Sequence, residues 1–308
     1  MMIHAVSSRP NYWRHIRPVF EALPVEMRGE ILDGAHPRQQ RLDRDDVFLI
    51  GGFTDLVAAG GRRAIYIEHG AGQTYVDARR HHRAHYAGGE HPDNVIGYIC
   101  PNEIVAESWG RPAIAVGCPA LKSVGSRTGG WVVITFHFDA PFVSPEARSA
   151  RPHYLDDLHH IVTWVRMANW SNKVLGHAHP RDHRAERIWK LLDVPFEPDP
   201  DEALRKASLV IADNTSFAYE AAALGIANVA LNAPWYRRDV EHGLRFWEHP
   251  PGLMVDDAWD LMKHDLHDWI DSGENRKIRR RAVKRAYGEI AFAGGAERAA
   301  KFIVDLVS

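Results

Sequence analysis

"ASLVIADNTSFAYEAAALG", Ala207–Gly225, decides how this sequence folds. "SLVIA" is a run of apolar and β-branched residues, which suits a strand buried on both faces. "DNTS" then brings small amide and hydroxyl side chains, and "FAYEAAALG" continues as an alanine-rich helix that stops at a glycine. A strand that passes through such a loop into a helix is half of a βαβ unit. Thr215 and Ser216 are placed to cap the helix, and its first N–H groups have no partner within the helix. Together with Asn214 they form a cradle suited to a diphosphate. Glu220 follows one turn later, within reach of a ribose diol. The same residues would also serve as an ordinary helix cap, so the cradle is read together with its neighbours.

Working outward from this stretch, the unit repeats. "MIHAV", "DVFLIGG" (Asp46–Gly52), "RAIYIEHG", "NVIGYICP" and "PAIAVGCP" read as strands, with helices at "FTDLVAA" and "NEIVAESWG". Leu121–Gly130, "LKSVGSRTGG", is small and polar and reads as a linker. The pattern then restarts with strands at "WVVITFHF", "KVLGHAHP" and "IANVALNAP" and helices at "YLDDLHHIVTWVRMA", "RDHRAERIWKLL" and "DEALRKA". From Ala258 onward the chain reads as helical, ending in the amphipathic "AERAAKFIVDLV". The expected class is α/β, with two doubly wound, Rossmann-like domains at residues 1–124 and 125–308 facing a central cleft. Such sheets bind ligands at the carboxyl ends of their strands, so the chemistry is sought in those loops.

In the first half the most informative loop is "EHGAG". Gly70 and Gly72 allow a sharp turn and close approach of a ligand beside His69. The stretch is not a dinucleotide fingerprint, because Tyr75 stands where the third glycine belongs. A plain strand-to-helix turn with an exposed histidine fits the spacing as well. In the second half "TFHFDAP" offers His137, "GHAHPR" offers His177, His179 and Arg181, and the opening stretch adds Asp213. His81 with His85, or His177 with His179, could hold zinc by spacing. An HExxH pattern, a GxSxG elbow and a P-loop are absent, and no metal is assigned.

Composition narrows the classes. A formal charge of −2 gives no global attraction to nucleic acid or membrane. Cys100 and Cys118, the only cysteines, lack metal or framework spacing, which fits a reducing cytoplasm. The beginning "MMIHAVSSRPNYW" lacks the apolar core of a signal peptide, and no apolar run suits a membrane span. The basic "RKIRRR", Arg276–Arg281, reads as a solvated helix face that could also meet anionic lipid or substrate.

The order of these motifs resembles the GT-B transferases, and within them the CDP-glycerol glycerophosphotransferase group. The nonhydrolysing UDP-N-acetylglucosamine 2-epimerases are a more distant fold relative. "DVFLIGGFTDLVAAGGRRAIYIEHGAG" resembles the group's strand–helix–strand leading to His-Gly, and "AIAVGCP" its strand ending in Gly-x-Pro. "GHAHP" resembles its second His-Pro motif, "ASLVIADNTSFAYEAAALG" its acid-and-serine-pair segment, and "WYRRDVEHGLRFWEHPPG" the segment ending in Pro-Gly. The sequence departs from the group after His69, where Ala71-Gly72-Gln73-Thr74 replaces Thr-Pro-Leu-Lys. The acid that usually follows the serine pair appears here as Glu220, which is closer to the epimerases and sugar transferases.

The resemblance implies an enzyme that transfers a sugar, or glycerol phosphate, from a nucleotide-diphosphate donor to a hydroxyl of a glycan, protein or polyol polymer. It implies a donor diphosphate on Thr215 and Ser216, a ribose on Glu220, and His69 as general base with Gly70 and Gly72 clearing the acceptor side. His179, with His137 and Arg181 as further candidates, would stabilise the leaving group in place of a metal, and no cofactor is expected. An epimerase or hydrolase on the same fold and a non-catalytic nucleotide- or glycan-binding module are the alternatives.

Overall fold

The computed structural model describes residues 1–33, 42–52, 55, 59, 61–71, 93–138, 151–168, 173–213, 215–232, 248–289 and 294–308. Their contacts divide into two units. The first holds the described residues of Met1–Ser123 and Ala286–Ser308, and the second those of 124–285.

The first unit is built on a sheet of β1 (Ile3–Ser7), β2 (Arg28–Asp33), β3 (Val47–Ile50), β4 (Ala64–Ile67), β5 (Val95–Cys100) and β6 (Ala113–Ala115). The spatial order is β2-β1-β3-β4-β5-β6, and every pairing is parallel. β3 and β4 are buried at every position, as their unbroken apolar runs require. His4 ties three strands near their amino ends. Its Nε2 lies 3.1 Å from Asp46 Oδ2, and its Nδ1 accepts from the Glu30 amide at 3.0 Å.

One face of this sheet packs against helix Pro10–Ala22 through Tyr12, Ile16, Val19 and Phe20. The C-terminal helix Gly295–Val307 covers the same core with Ala296, Ala299, Ala300 and Ile303. That corrects one expectation. The last helix belongs to the first unit and not to the C-terminal domain, because its small apolar stripe fits this sheet closely. Phe302 and Leu306 crowd the space over Gly97, which leaves no room for a side chain there.

The second unit is a sheet of β7 (Trp131–Phe136), β8 (Val174–Ala178), β9 (Ala207–Ala212), β10 (Ala227–Leu231) and β11 (Leu253–Val255). Its order is β11-β10-β9-β7-β8, again all parallel. The chain leaves β7 for β8 on one side and returns to β9 on the other. The crevice at the carboxyl ends of β7 and β9 is therefore the topological switch point where such sheets take ligands. Among the described residues no helix is long and apolar enough to cross a membrane.

Gly176 sets how closely β8 approaches helix Ala185–Leu191. A Cβ at this position would come within 2.4 Å of the Trp189 ring, whose Nε1–H donates to the His177 carbonyl at 3.3 Å. Gly176→Ala is expected to lower stability by roughly 1–3 kcal/mol through overpacking. Urea unfolding checks this, and an unchanged midpoint would show that the indole can yield at no cost.

Candidate functional site

In the second unit, the loops leaving β7 and β9 are clipped together. The His137 amide donates to Asp213 Oδ1 at 2.7 Å, and Asp213 is buried. Thr215 follows on the same loop. Its amide donates to the Asp213 carbonyl at 2.8 Å, and its Oγ1 accepts from the Phe217 amide at 3.4 Å as the N-cap of helix Ser216–Ala223. Ser216 is the first residue of that helix. Glu220 lies four residues on, on the same face, and is buried.

The loop after β8 supplies the other wall. His179 stands with its ring 5.1 Å from that of His137 and 4.4 Å from that of Phe138, and the Arg181 guanidinium lies 5.2 Å over Phe138. The Arg181 amide donates to His179 Nδ1 at 3.1 Å. An accepting Nδ1 carries no proton, so the neutral ring is the Nε2–H tautomer, a donor. His137 has the opposite tautomer, because its Nδ1 donates to the Phe138 carbonyl at 2.9 Å. The loop is stiffened by a partly buried ion pair of Arg151 with Asp182, and the Asp182 amide donates to the His179 carbonyl at 2.8 Å.

The structure thus brings His137, His179 and Arg181 together beyond β7 and β8, and the His137–Asp213 hydrogen bond links them to the loop that carries Thr215 and Ser216. Asn214 lies outside the described residues, as do Gly72, His81, His85, most of "FTDLVAA", the stretch expected to be helical after His69, and most of the segment ending in Pro-Gly. His177 is buried, with Nδ1–H donating to the Glu197 carbonyl at 2.7 Å and its ring stacked on Phe217 at 4.6 Å. Among the described residues no cluster of three His, Cys, Asp or Glu side chains could hold a metal ion.

In the first unit, His69 follows β4, and Gly70 turns the chain with φ of 89°. That conformation suits glycine and strains other residues. The His69 ring packs 4.5 Å from Tyr12 and 6.1 Å from His15, both on helix Pro10–Ala22. Burial, with the Arg14 and His69 charges adding, holds the His15 imidazole well below its ordinary value, so His15 is a neutral neighbour.

Glu68 points to the other side of the strand, against Trp109. The sequence places this acid directly before His-Gly at a strand end but gives it no role. It is 6% exposed, its Oε2 accepts from Trp109 Nε1 at 3.1 Å, and its Oε1 has no hydrogen-bond partner among the described residues. Burial pushes its carboxyl up to about 8, with the Trp109 hydrogen bond opposing. Near neutrality it is largely an uncharged acid.

No family model matches the chain, and no curated protein matches it. Solved structures do. The wall teichoic acid polymerase TagF, in a structure soaked with CDPG, has a TM-score of 0.65 at 10% identity, over 99% of this chain and 88% of that one. The UDP-GlcNAc 2-epimerase of Neisseria meningitidis, bound to UDP-GlcNAc, has 0.59 at 12% identity over 100% and 99%. S. aureus MnaA with UDP has 0.59 at 12% over 99% and 97%. At such identities the likeness is one of fold: this chain has the GT-B fold, with two Rossmann-like α/β units.

The buried Glu68 gives a pH signature. Between its ordinary 4.5 and its folded value of about 8, the folded chain holds a proton that the unfolded chain has lost. Stability therefore falls as pH rises through that window, by up to about 1.4 kcal/mol per pH unit from this group. Glu68→Gln cannot ionise and can still accept from Trp109. The variant is expected to outlast the parent in urea at about pH 8, with the advantage shrinking towards about pH 5. Parallel profiles would show that Glu68 is charged in the folded chain.

Proposed function

We propose that this chain is a transferase that moves a sugar, or glycerol phosphate, from a nucleotide-diphosphate donor to an acceptor hydroxyl. The observation that carries this reading is the β7/β9 crevice. A helix start capped by Thr215, the Nε2–H of His179 and the Arg181 side chain gather where an α/β sheet takes its ligands, and all of them suit an anion. The fold shared with the CDPG-soaked polymerase and with UDP- and UDP-GlcNAc-bound enzymes supports a nucleotide ligand of this kind.

On this reading the donor's diphosphate takes hydrogen bonds from Thr215, Ser216 and the N–H groups of their helix, and Glu220 binds the ribose. His69 takes the proton of the acceptor hydroxyl. The oxygen then attacks the sugar carbon and displaces the nucleoside diphosphate. With CDP-glycerol it attacks the β-phosphorus and displaces CMP. His179 and Arg181, with His137 beside them, hold the negative charge that grows on the leaving group. The candidate donor loop has no DxD-like acidic pair, so these side chains stand in for a metal.

A nucleotide-sugar epimerase or hydrolase is the second reading, favoured by the end-to-end match with the Neisseria enzyme. Incubation with UDP-sugars and no acceptor separates the two, since only the second reading yields epimer or free sugar.

Two substitutions test the assigned roles. Ser216→Ala should weaken binding of nucleoside diphosphates by roughly 1.5–3 kcal/mol, the worth of a hydrogen bond to a charged group, and leave the free nucleoside nearly unaffected. Equal losses in calorimetric titrations would reduce Ser216 to a helix-start residue. His69→Ala should fold, keep donor affinity and lose about 10²–10⁴ in transfer rate. Lost donor binding or unchanged turnover would remove His69 from the chemistry.

A further inference from the structure

Helix Gly273–Tyr287 carries seven of the chain's 38 Lys and Arg residues and one of its 40 Asp and Glu, so it is +6 within a chain of net −2. The charge is not spread around the helix. Arg276, Lys277, Arg280, Arg281 and Lys284 are all exposed, and their spacing of i, i+1, i+4, i+5 and i+8 sets them in one stripe. Eight residues of α-helix make that stripe about 12 Å long. The opposite side holds the helix in place, with Asn275 and Ala282 buried and Asn275 Nδ2–H donating to the Ile270 carbonyl at 2.8 Å.

Three of the five charges on this stripe are uncompensated: among the described residues Lys277, Arg280 and Arg281 meet no carboxylate. Behind the stripe Arg279 is partly buried, and its Nε has no hydrogen-bond partner among the described residues. Burial first, then the charges of Arg127, Arg276 and Arg280, hold its guanidinium below the usual range. Crowding like charges costs stability unless an outside anion meets them.

The geometry points to a docking surface for an anionic bilayer, with lipid phosphates lying along the Arg276–Lys284 stripe. A straight helix lies flush on a plane and presents all five cations together. The stripe has no aromatic, amide or hydroxyl side chain with which to stack on or read bases, which disfavours a nucleic acid. With the rest of the chain acidic, the field of an anionic surface would turn this face towards it. Clusters of four to eight basic residues on a helix are a recognised means of holding anionic lipid. This inference rests on nothing in the proposed reaction.

The test is co-sedimentation of the full chain with vesicles of phosphatidylglycerol and phosphatidylcholine in equal parts, and with phosphatidylcholine alone. We expect binding only to the anionic vesicles, and its loss when salt shortens the Debye length to about 3 Å at about 1 M. Each basic residue near such a surface contributes roughly fivefold to affinity, so the triple variant Lys277→Glu, Arg280→Glu, Arg281→Glu should bind at least about a hundredfold more weakly. The milder Lys277→Gln, Arg280→Gln, Arg281→Gln serves if charge reversal impairs folding. A control matched in charge to the Gln variant, Arg44→Gln, Lys190→Gln, Lys301→Gln, should bind nearly as the parent does. Equal binding to both vesicles, retained binding in the stripe variants, equal loss in the control, or capture by soluble polyphosphate without vesicle binding would each overturn the assignment.

Discussion

The hydrogen bond from the His137 amide to the buried Asp213 carboxylate, 2.7 Å long, fixes the geometry on which the candidate site depends. It joins the loops that leave β7 and β9 at the point where the chain reverses its direction of winding. Asp213 also passes its backbone carbonyl to the Thr215 amide, so the same residue sets where helix Ser216–Ala223 begins. On the other wall the Arg181 amide orients His179, and the Arg151–Asp182 pair holds the loop behind it. These contacts within the chain hold the donors of the crevice in place, as charge stabilisation by preorganised groups requires.

The first unit has a different electrostatic character. Around the end of β4 it holds buried ionisable groups that burial keeps neutral near pH 7, Glu68 after the strand and His15 on helix Pro10–Ala22. His69 stands next to both, against Tyr12. A crevice whose donors would suit an anion in one unit, and a histidine beside buried neutral groups in the other, suit the proposed division of labour. The second unit would hold the charged donor, and the first would manage a single proton.

Much of the fold is legible in the sequence because it is made of parallel strands buried on both faces. "VFLI", "AIYI", "WVVITF" and "LVIA" can hardly be anything else. β2, "RGEILD", is hidden because it is a half-exposed edge with polar residues, and β11 is a short edge strand paired only to β10. Helix Pro10–Ala22 is masked by Pro18 and its basic residues, although Tyr12, Ile16, Val19 and Phe20 carry a helical period. The amphipathic tail reads as a helix, but which sheet it covers depends on shape, including the bare backbone of Gly97. At the site, the residue types stand out as motifs. Their linkage does not, since His137 and Asp213 lie far apart in sequence and the His179 tautomer depends on a backbone amide. Glu68 has no role legible in the sequence because its character comes from burial against Trp109, and only the folded chain shows that.

A crystal structure after soaking with CDP or UDP tests the central claim most directly. The account predicts the diphosphate at the carboxyl ends of β7 and β9, within hydrogen-bond reach of the Ser216 hydroxyl and the start of its helix, with His179 Nε2 facing a phosphate oxygen and the ribose on Glu220. A nucleotide bound instead at the strand ends of the first unit, or one that leaves Thr215, Ser216 and His179 untouched, would contradict it.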